Sequence, residues 1–312
     1  MRRALEIAAE TGDMAGHAHA LAVLAALRSD DAADDRDLAM FRQAIAEHEL
    51  MEDVSRVPWT LTRYGLVLAM RGQLDEAETI CARARAAVAR LNAPRSKEFA
   101  LSACAEIELA RGKVQVSRAL VTQLLTTAKN ANDKVMLETA LLQQTRFAVA
   151  GRGWPQAREL LATLIPTAAA ENNIADEALA QAWLARCAHG MHDPSPRDHA
   201  LARARELRRR IGFHADAFQV DLALAQLRGE MGDRDAAVTA LQTLANDADR
   251  RQWMASALEA RLAAFQLLQR SHDPVALTRR SQIETAAHSH GFKWVLARLD
   301  AKPNTAIADV PH

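Results

Sequence analysis

"YGLVLAMRGQLDEA", residues Tyr64–Ala77, reads as the tip of a helical hairpin. Upstream of its glycine, Leu61, Tyr64 and Leu68 stand at i, i+3 and i+7, on one face of a helix. Gly72 breaks the run, and a second helix starts in the acidic stretch behind it. Gly65 lets that second helix come close, with Ala77 as its small partner and Cys81 continuing the same face. Such a hairpin cannot bury its apolar flanks alone and needs neighbours of the same kind.

Moving outward, glycines that end a helix recur at Gly72, Gly112, Gly153, Gly190 and Gly232, spaced 40, 41, 37 and 42 residues apart. After each comes a short stretch and then an Ala- or Leu-rich helix, and before each comes another helix of similar length. The 312-residue chain has 49% apolar and 25% charged residues, and only 4% aromatics. Ala makes up about a fifth of it, and strand formers are sparse. The expected fold is all-α: a right-handed α-solenoid of about seven antiparallel hairpins.

The hairpin at Leu61–Ala84 resembles the tetratricopeptide repeat, whose first helix carries large-x2-Leu-Gly-x2-large and whose second carries Ala-x3-large. Weaker copies fall at Leu101, Cys104, Ala105, Ser117 and Val121, at Leu141, Ala157 and Leu161, and at Leu224, Ala225, Ala237 and Leu241. A standard unit has about 34 residues. The longer units here look like the helical-repeat regions of large bacterial regulators, including ATP-dependent LuxR-type activators. The resemblance implies residues 1–301 as a single repeat domain, with Leu61, Tyr64, Gly65, Leu68, Gly72, Ala77 and Cys81 as packing positions. "RRALEIAAETGD" reads as the second helix of an incomplete first repeat, residues 1–12, as in a fragment or a mis-set start of a longer protein. Residues 302–312 read as a flexible tail. The loops Ser29–Arg36 and Gly190–Pro196 are the two expected to be exposed and mobile.

Formal charge is zero, so no global field draws in nucleic acid or an anionic membrane. The basic stretch Arg203, Arg205, Arg208, Arg209 and Arg210 is interleaved with Glu206 and no aromatic, and reads as a solvated face. No run of 18 apolar residues exists. Cys81, Cys104 and Cys187 lie in apolar patterns without a CxxC pair and read as reduced, buried thiols of a cytoplasmic protein.

No phosphate-binding, dinucleotide, zinc-protease or serine-elbow motif occurs. The best metal candidate is His189 with His192, three residues apart beside Cys187, Asp193 and His199. A histidine at a helix C-terminus also has an ordinary role against the dipole, and that reading is preferred, so no metal or other cofactor is expected. Most of the five Trp read as packing; Trp59 and Trp253, at first turns, are candidates to line a groove.

First helices line the concave face of such an array. By register, the inward polar positions are Thr62, Arg63, Ser102, Glu106, Gln143, Arg146, Gln181 and Gln226. In "LLQQTRF" (Leu141–Phe147) polar residues interrupt an apolar helix, and Gln and Arg there suit a peptide backbone or a carboxylate. The expected function is a non-catalytic module that holds a protein or peptide segment in its groove, within a bacterial regulatory or signalling protein. A homodimer is compatible with this. The alternatives are a ligand-sensing domain of a transcription regulator or kinase whose head lies elsewhere and, ranked last, a metal-dependent enzyme on a helical scaffold.

Overall fold

A run of seventeen helical residues followed by three turn residues sets the geometry. In the computed structural model, which describes residues 2–53, 55–91, 93–270 and 273–301, the chain forms sixteen α-helices and no strand among those residues. In order they are α1 (Arg2–Thr11), α2 (Met14–Ser29), α3 (Asp35–Leu50), α4 (Val57–Met70), α5 (Leu74–Ala89), α6 (Pro94–Ala110), α7 (Val114–Ala131) and α8 (Lys134–Ala150). There follow α9 (Trp154–Ala170), α10 (Ile174–Gly190), α11 (Pro194–Arg208), α12 (His214–Glu230), α13 (Arg234–Arg250), α14 (Met254–Arg270), α15 (Val275–His290) and α16 (Lys293–Asp300). The pairs from α2–α3 to α14–α15 are hairpins, stacked as a tetratricopeptide-like solenoid. The tail expected at 302–312 lies outside the described residues.

The repeat is stricter than the glycines suggest. α6, α8, α10, α12 and α14 begin forty residues apart, and each has 17 residues. What recurs is a left-handed residue, at Gly72, Gly112, Arg152, His192 and Gly232. The next N–H reaches back five residues to a carbonyl, as in Gln73 to Leu68 (2.9 Å) and Asp193 to Ala188 (2.8 Å), closing the helix end. Gly153 therefore sits one place past the left-handed position. Gly190 is a packing glycine: a Cβ there would lie 2.3 Å from Nε1 of Trp154. The expected long loop at Gly190–Pro196 shrinks to three residues, Met191–Asp193.

Short turns make neighbouring helices antiparallel, so the even-numbered helices run parallel to one another. They pack on each other as well as on their partners, most closely α4 on α6 and α10 on α12, whereas the odd-numbered helices form an outer layer. The burial patterns follow. Outer α9 buries the single stripe Ala157, Leu161, Leu164 and Ala168, while inner α10 buries most of its length. Small residues recur at the tight position of the outer helices (Ala77, Ser117, Ala157, Ala237), and the core lies between the two layers. In the best repeat unit, Tyr64 packs on Phe41 with ring centroids 5.7 Å apart and donates to Glu76 at 2.5 Å. Gly65 faces Ile80 and Ile107, so three helices meet there.

The ribbon coils tightly enough to meet itself. α14 contacts α4, and α16 contacts α6, so one superhelical turn takes ten helices, or five hairpins. Ser29–Arg36, expected to be mobile, is instead part of this seam. Ala33 is 0% exposed and its N–H donates to the Arg251 carbonyl at 3.0 Å. The Asp30 carboxylate caps α12 by accepting from the His214 and Ala215 N–H groups (3.2 and 3.1 Å). Trp253, a groove candidate by sequence, is 1% exposed and donates from Nε1 to the Ser29 carbonyl at 3.1 Å. One apolar cluster accordingly runs from α2–α8 into α12–α16 across the seam.

The cysteines also depart from expectation. Cys81 and Cys104 form a disulfide with Cα atoms 5.5 Å apart, tying α5 to α6 of the next hairpin. Helical periodicity puts each on an apolar face, but only the stacking sets those faces opposite one another. Cys187 alone is a free thiol, so the thiol inventory carries no argument for a cytoplasmic setting.

Two outcomes test this geometry. Trp253→Ala should cost about 3–5 kcal/mol in urea unfolding and speed amide exchange at Ala33, on the far side of the seam. His192→Gly, at φ 59° on an exposed turn, should raise stability by about 0.5–1 kcal/mol.

Candidate functional site

One superhelical turn encloses a space. The inner helices α8, α10, α12 and α14, with α16, surround an open cavity. Because the period is forty, one residue position recurs on every inner helix: Glu106, Arg146, Arg186, Gln226 and Gln266. These side chains form a polar ladder from α6 to α14. Arg146 pairs with Glu106, and Arg186 donates to the Gln226 amide oxygen at 2.7 Å. Arg146, Arg186, Gln226 and Gln266 line the cavity.

The sequence-derived positions divide into groups. Ser102, Glu106, Gln143 and Arg146 come together where α6 meets α8. Gln143, 7% exposed, donates to the Ser102 carbonyl (3.1 Å) and to Glu106 (3.0 Å), and so acts as a strut between repeats. Arg146 and Gln226 reach the cavity. Thr62 is buried and its hydroxyl donates to the Pro58 carbonyl at 2.7 Å, which turns it away from any groove. Arg63 lies within electrostatic reach of Asp30 and Asp216, and burial holds its pKa below the ordinary guanidinium value. Gln181 is half-buried on α10 and does not line the cavity.

The charged cluster around Glu230 was not among those positions. Glu230, at the end of α12, accepts a two-pronged grip from Arg186 (Nε to Oε2 3.2 Å, Nη2 to Oε1 3.0 Å). Arg152 stands at 3.4 Å and Arg270 at 3.8 Å from the same Oε1. Burial disfavours its charge, but Arg186, then Arg152 and His189, hold the Glu230 carboxyl below the ordinary range. Across the cavity, Arg298 binds both oxygens of Glu259 at 2.7 and 2.6 Å. Trp183 and Trp294 supply aromatic wall. The signal that leads to Arg186 and Gln266 is the ladder register itself. Glu230, Arg152 and Arg270 sit at helix ends or turns, where no apolar pattern marks an inward direction.

Carboxyl groups gather toward the other end of the inner helices, where Asp176 and Asp216 lie in the first turns of α10 and α12 and Glu138 lies just past the first turn of α8. This division of charge complements the aligned helix dipoles. Glu138 is 1% exposed, and burial followed by the neighbouring Asp176 pushes its pKa well above the ordinary carboxyl value. Burial and Asp176 also raise Asp216, to about 6.

The histidine pair does not converge. His189 Nε2 lies 3.0 Å from the Glu230 carbonyl oxygen, and His192 occupies the exposed left-handed turn. Cys187 is buried, which pushes its thiol up to about 12. Among the described residues no three His, Cys, Asp or Glu side chains gather in a metal-binding group. Arg203 is engaged by Glu177 and Glu206, and Arg208 by Asp221, so the basic stretch of α11 is partly neutralised. No described helix is long and apolar enough to cross a membrane.

No protein-family model matches the chain, and no curated protein matches it in sequence. Among solved structures it is similar to a Rap protein complexed with Competence and Sporulation Factor. The TM-score is 0.56 at 13% identity, over 82% of this chain and 86% of that one. The likeness is one of fold: an all-α helical-repeat solenoid.

The Glu138 environment generates a pH prediction. The folded protein keeps this carboxyl protonated at pH values where the unfolded chain, with an ordinary value of 4.5, has lost the proton. The folded state then binds more protons, so this site lowers stability as pH rises above 4.5. Glu138→Gln should therefore raise the melting temperature at pH 8 and leave it nearly unchanged at pH 4, as read by calorimetry.

Proposed function

We propose that this chain is a non-catalytic binding module that holds a short protein or peptide segment inside its coil. The carrying observation is the polar ladder. Inner helices that could have closed on one another with apolar residues instead present Arg and Gln to an open cavity. Gln offers both a donor and an acceptor to an extended backbone, and Arg offers a rigid fork of donors. The cavity's lining along α12, from Gln219 to Glu230, is roughly 16 Å long at 1.5 Å per residue. A strand rising about 3.3 Å per residue would span that length with about five residues. The lining argues for binding rather than chemistry: its most buried charged groups, Arg186 with Glu230 and Arg298 with Glu259, grip one another.

Fold likeness to a Rap protein in complex with a factor supports the binding role by analogy. Residues 1–301 are taken as one repeat domain. The long repeat unit supports a place in a bacterial regulatory or signalling system, in the cytoplasm. A second reading, the ligand-sensing domain of a transcription regulator or kinase, draws on the seam. A segment lodged in the coil would change how tightly one turn closes on the next, and such a change can be passed to an attached head.

Gln219 and Gln266 line the cavity, and the described residues record no hydrogen bond to either side chain. The Gln219→Ala/Gln266→Ala double variant should weaken capture of labelled random heptapeptides several-fold while shifting the melting temperature by less than about 2 °C. Wild-type protein that captures no peptide from the library would reject the reading.

A further inference from the structure

The arginine end of the cavity holds more positive charge than it uses. Arg146, Arg152, Arg186, Arg270 and Arg298 line it. Among the described residues, the carboxylates that stand against them are Glu230, Glu259 and, through Arg146, Glu106. Five guanidinium groups face three carboxylates, a surplus of two. The pairing is also uneven. Arg186 alone supplies the forked grip on Glu230. Arg152 and Arg270 approach the same oxygen at 3.4 and 3.8 Å, at or beyond the limit of a good hydrogen bond, and each side chain is about one-third exposed. Each guanidinium carries five N–H donors, so both have donors to spare. Arg298, 9% exposed, keeps its Nε–H without an acceptor. Water is the alternative partner for the exposed donors; it screens repulsion among the guanidinium groups but brings no opposite charge to offset the surplus.

We propose that the cavity selects acidic segments, and that a carboxylate of the bound chain docks between Arg152 and Arg270, taking over the long contacts they now make to Glu230. This rests on the peptide-binding reading above and names the class of peptide. Glu230 acts as a built-in occupant. It shows that a carboxylate suits this cluster, and it keeps the guanidinium groups from repelling one another while the cavity is empty. A ligand carboxylate completes the pairing of Arg152 and Arg270 and leaves the Arg186 fork in place. A segment bearing Lys or Arg at that point would add to the surplus and is excluded by repulsion.

The test uses the full chain and fluorescein-labelled heptapeptide pools with amidated C-termini, read by anisotropy. The pools share the same random positions and differ at one, which is Asp/Glu, Asn/Gln or phosphoserine. The acidic pool should bind at least about tenfold more tightly than the amide pool. Arg152→Gln/Arg270→Gln should abolish that preference while keeping the weaker binding of the amide pool. Glu230→Gln should strengthen binding of the acidic pool, the opposite of what a purely structural role would give. Should Glu230→Gln fail to fold, the double arginine variant decides. Equal binding of acidic and amide pools overturns the inference and leaves the peptide reading standing. So does preference for the phosphoserine pool, or a preference for acid that survives in the double variant. Absence of binding by every pool overturns both.

Discussion

Where the repeat is regular, left-handed residues follow the helix ends at spacings of twenty residues or its multiples, and the rest of the molecule depends on that constraint. A left-handed residue reverses the chain in three residues and satisfies the last carbonyl groups of the helix. Seventeen helical residues then return the chain to the same height. Equal helices with equal turns can be superimposed by one fixed rotation and translation, so a coil results. Glycine takes the strained position without penalty at Gly72, Gly112 and Gly232, whereas Asn132, Asn172, Arg152, His192 and Gln252 accept it with a side chain. The repeat geometry is thus stronger than the residue preference that would advertise it.

The strict period explains how a polar ladder can exist inside a helical stack. A residue placed inward on one inner helix is inward on every inner helix forty positions away. Glu106, Arg146, Arg186, Gln226 and Gln266 therefore neighbour one another in space although they are far apart in sequence. Nearest-neighbour pairing along this row, such as Arg146 with Glu106 and Arg186 with Gln226, keeps the ion pairs and hydrogen bonds in register with the packing. Outer helices need only one apolar stripe; inner helices must serve their hairpin partner, their inner neighbours and the cavity. That triple duty is why Arg186 stands among nearly continuous buried residues on α10.

Coiling back on itself changes what the ends of the molecule do. An extended array would leave the Ser29–Asp34 turn in water. Here one turn of the coil rests on the next, and the turn becomes an interface in which Asp30 caps a helix 184 residues away and Trp253 fills the gap behind Ser29. The contact joins early and late repeats into one apolar cluster, and the inner helices of that turn surround the cavity. Enclosure, in turn, is what makes the inner charges matter. Guanidinium groups that would be individually solvated on an open ribbon share a restricted volume, where Glu230 is held ionised by its neighbours.

How much of this was written in the sequence depends on range. Helix, turn and hairpin are local. The spacing of Leu61, Tyr64 and Leu68, the small residues at Gly65 and Ala77, and the recurring breaks near every forty residues are enough for an all-α stack with first helices inward. The same register reached Arg146 and Gln226, two groups that do line the cavity. It did not reach the Glu230 cluster, because helix ends carry no apolar pattern from which a direction could be read. Nor did it reveal the Cys81–Cys104 bond, because periodicity says which face a residue takes but not which residue stands opposite. It misjudged Ser29–Arg36 for a related reason: polarity makes a turn look exposed, and only the pitch of the coil determines what lies across from it. Pitch is the sum of small rotations between successive hairpins, set by side-chain packing at every interface. The sequence by itself determined the unit and its repetition; tertiary structure decided how many units close a turn, and with that the seam, the cavity and the company its charges keep.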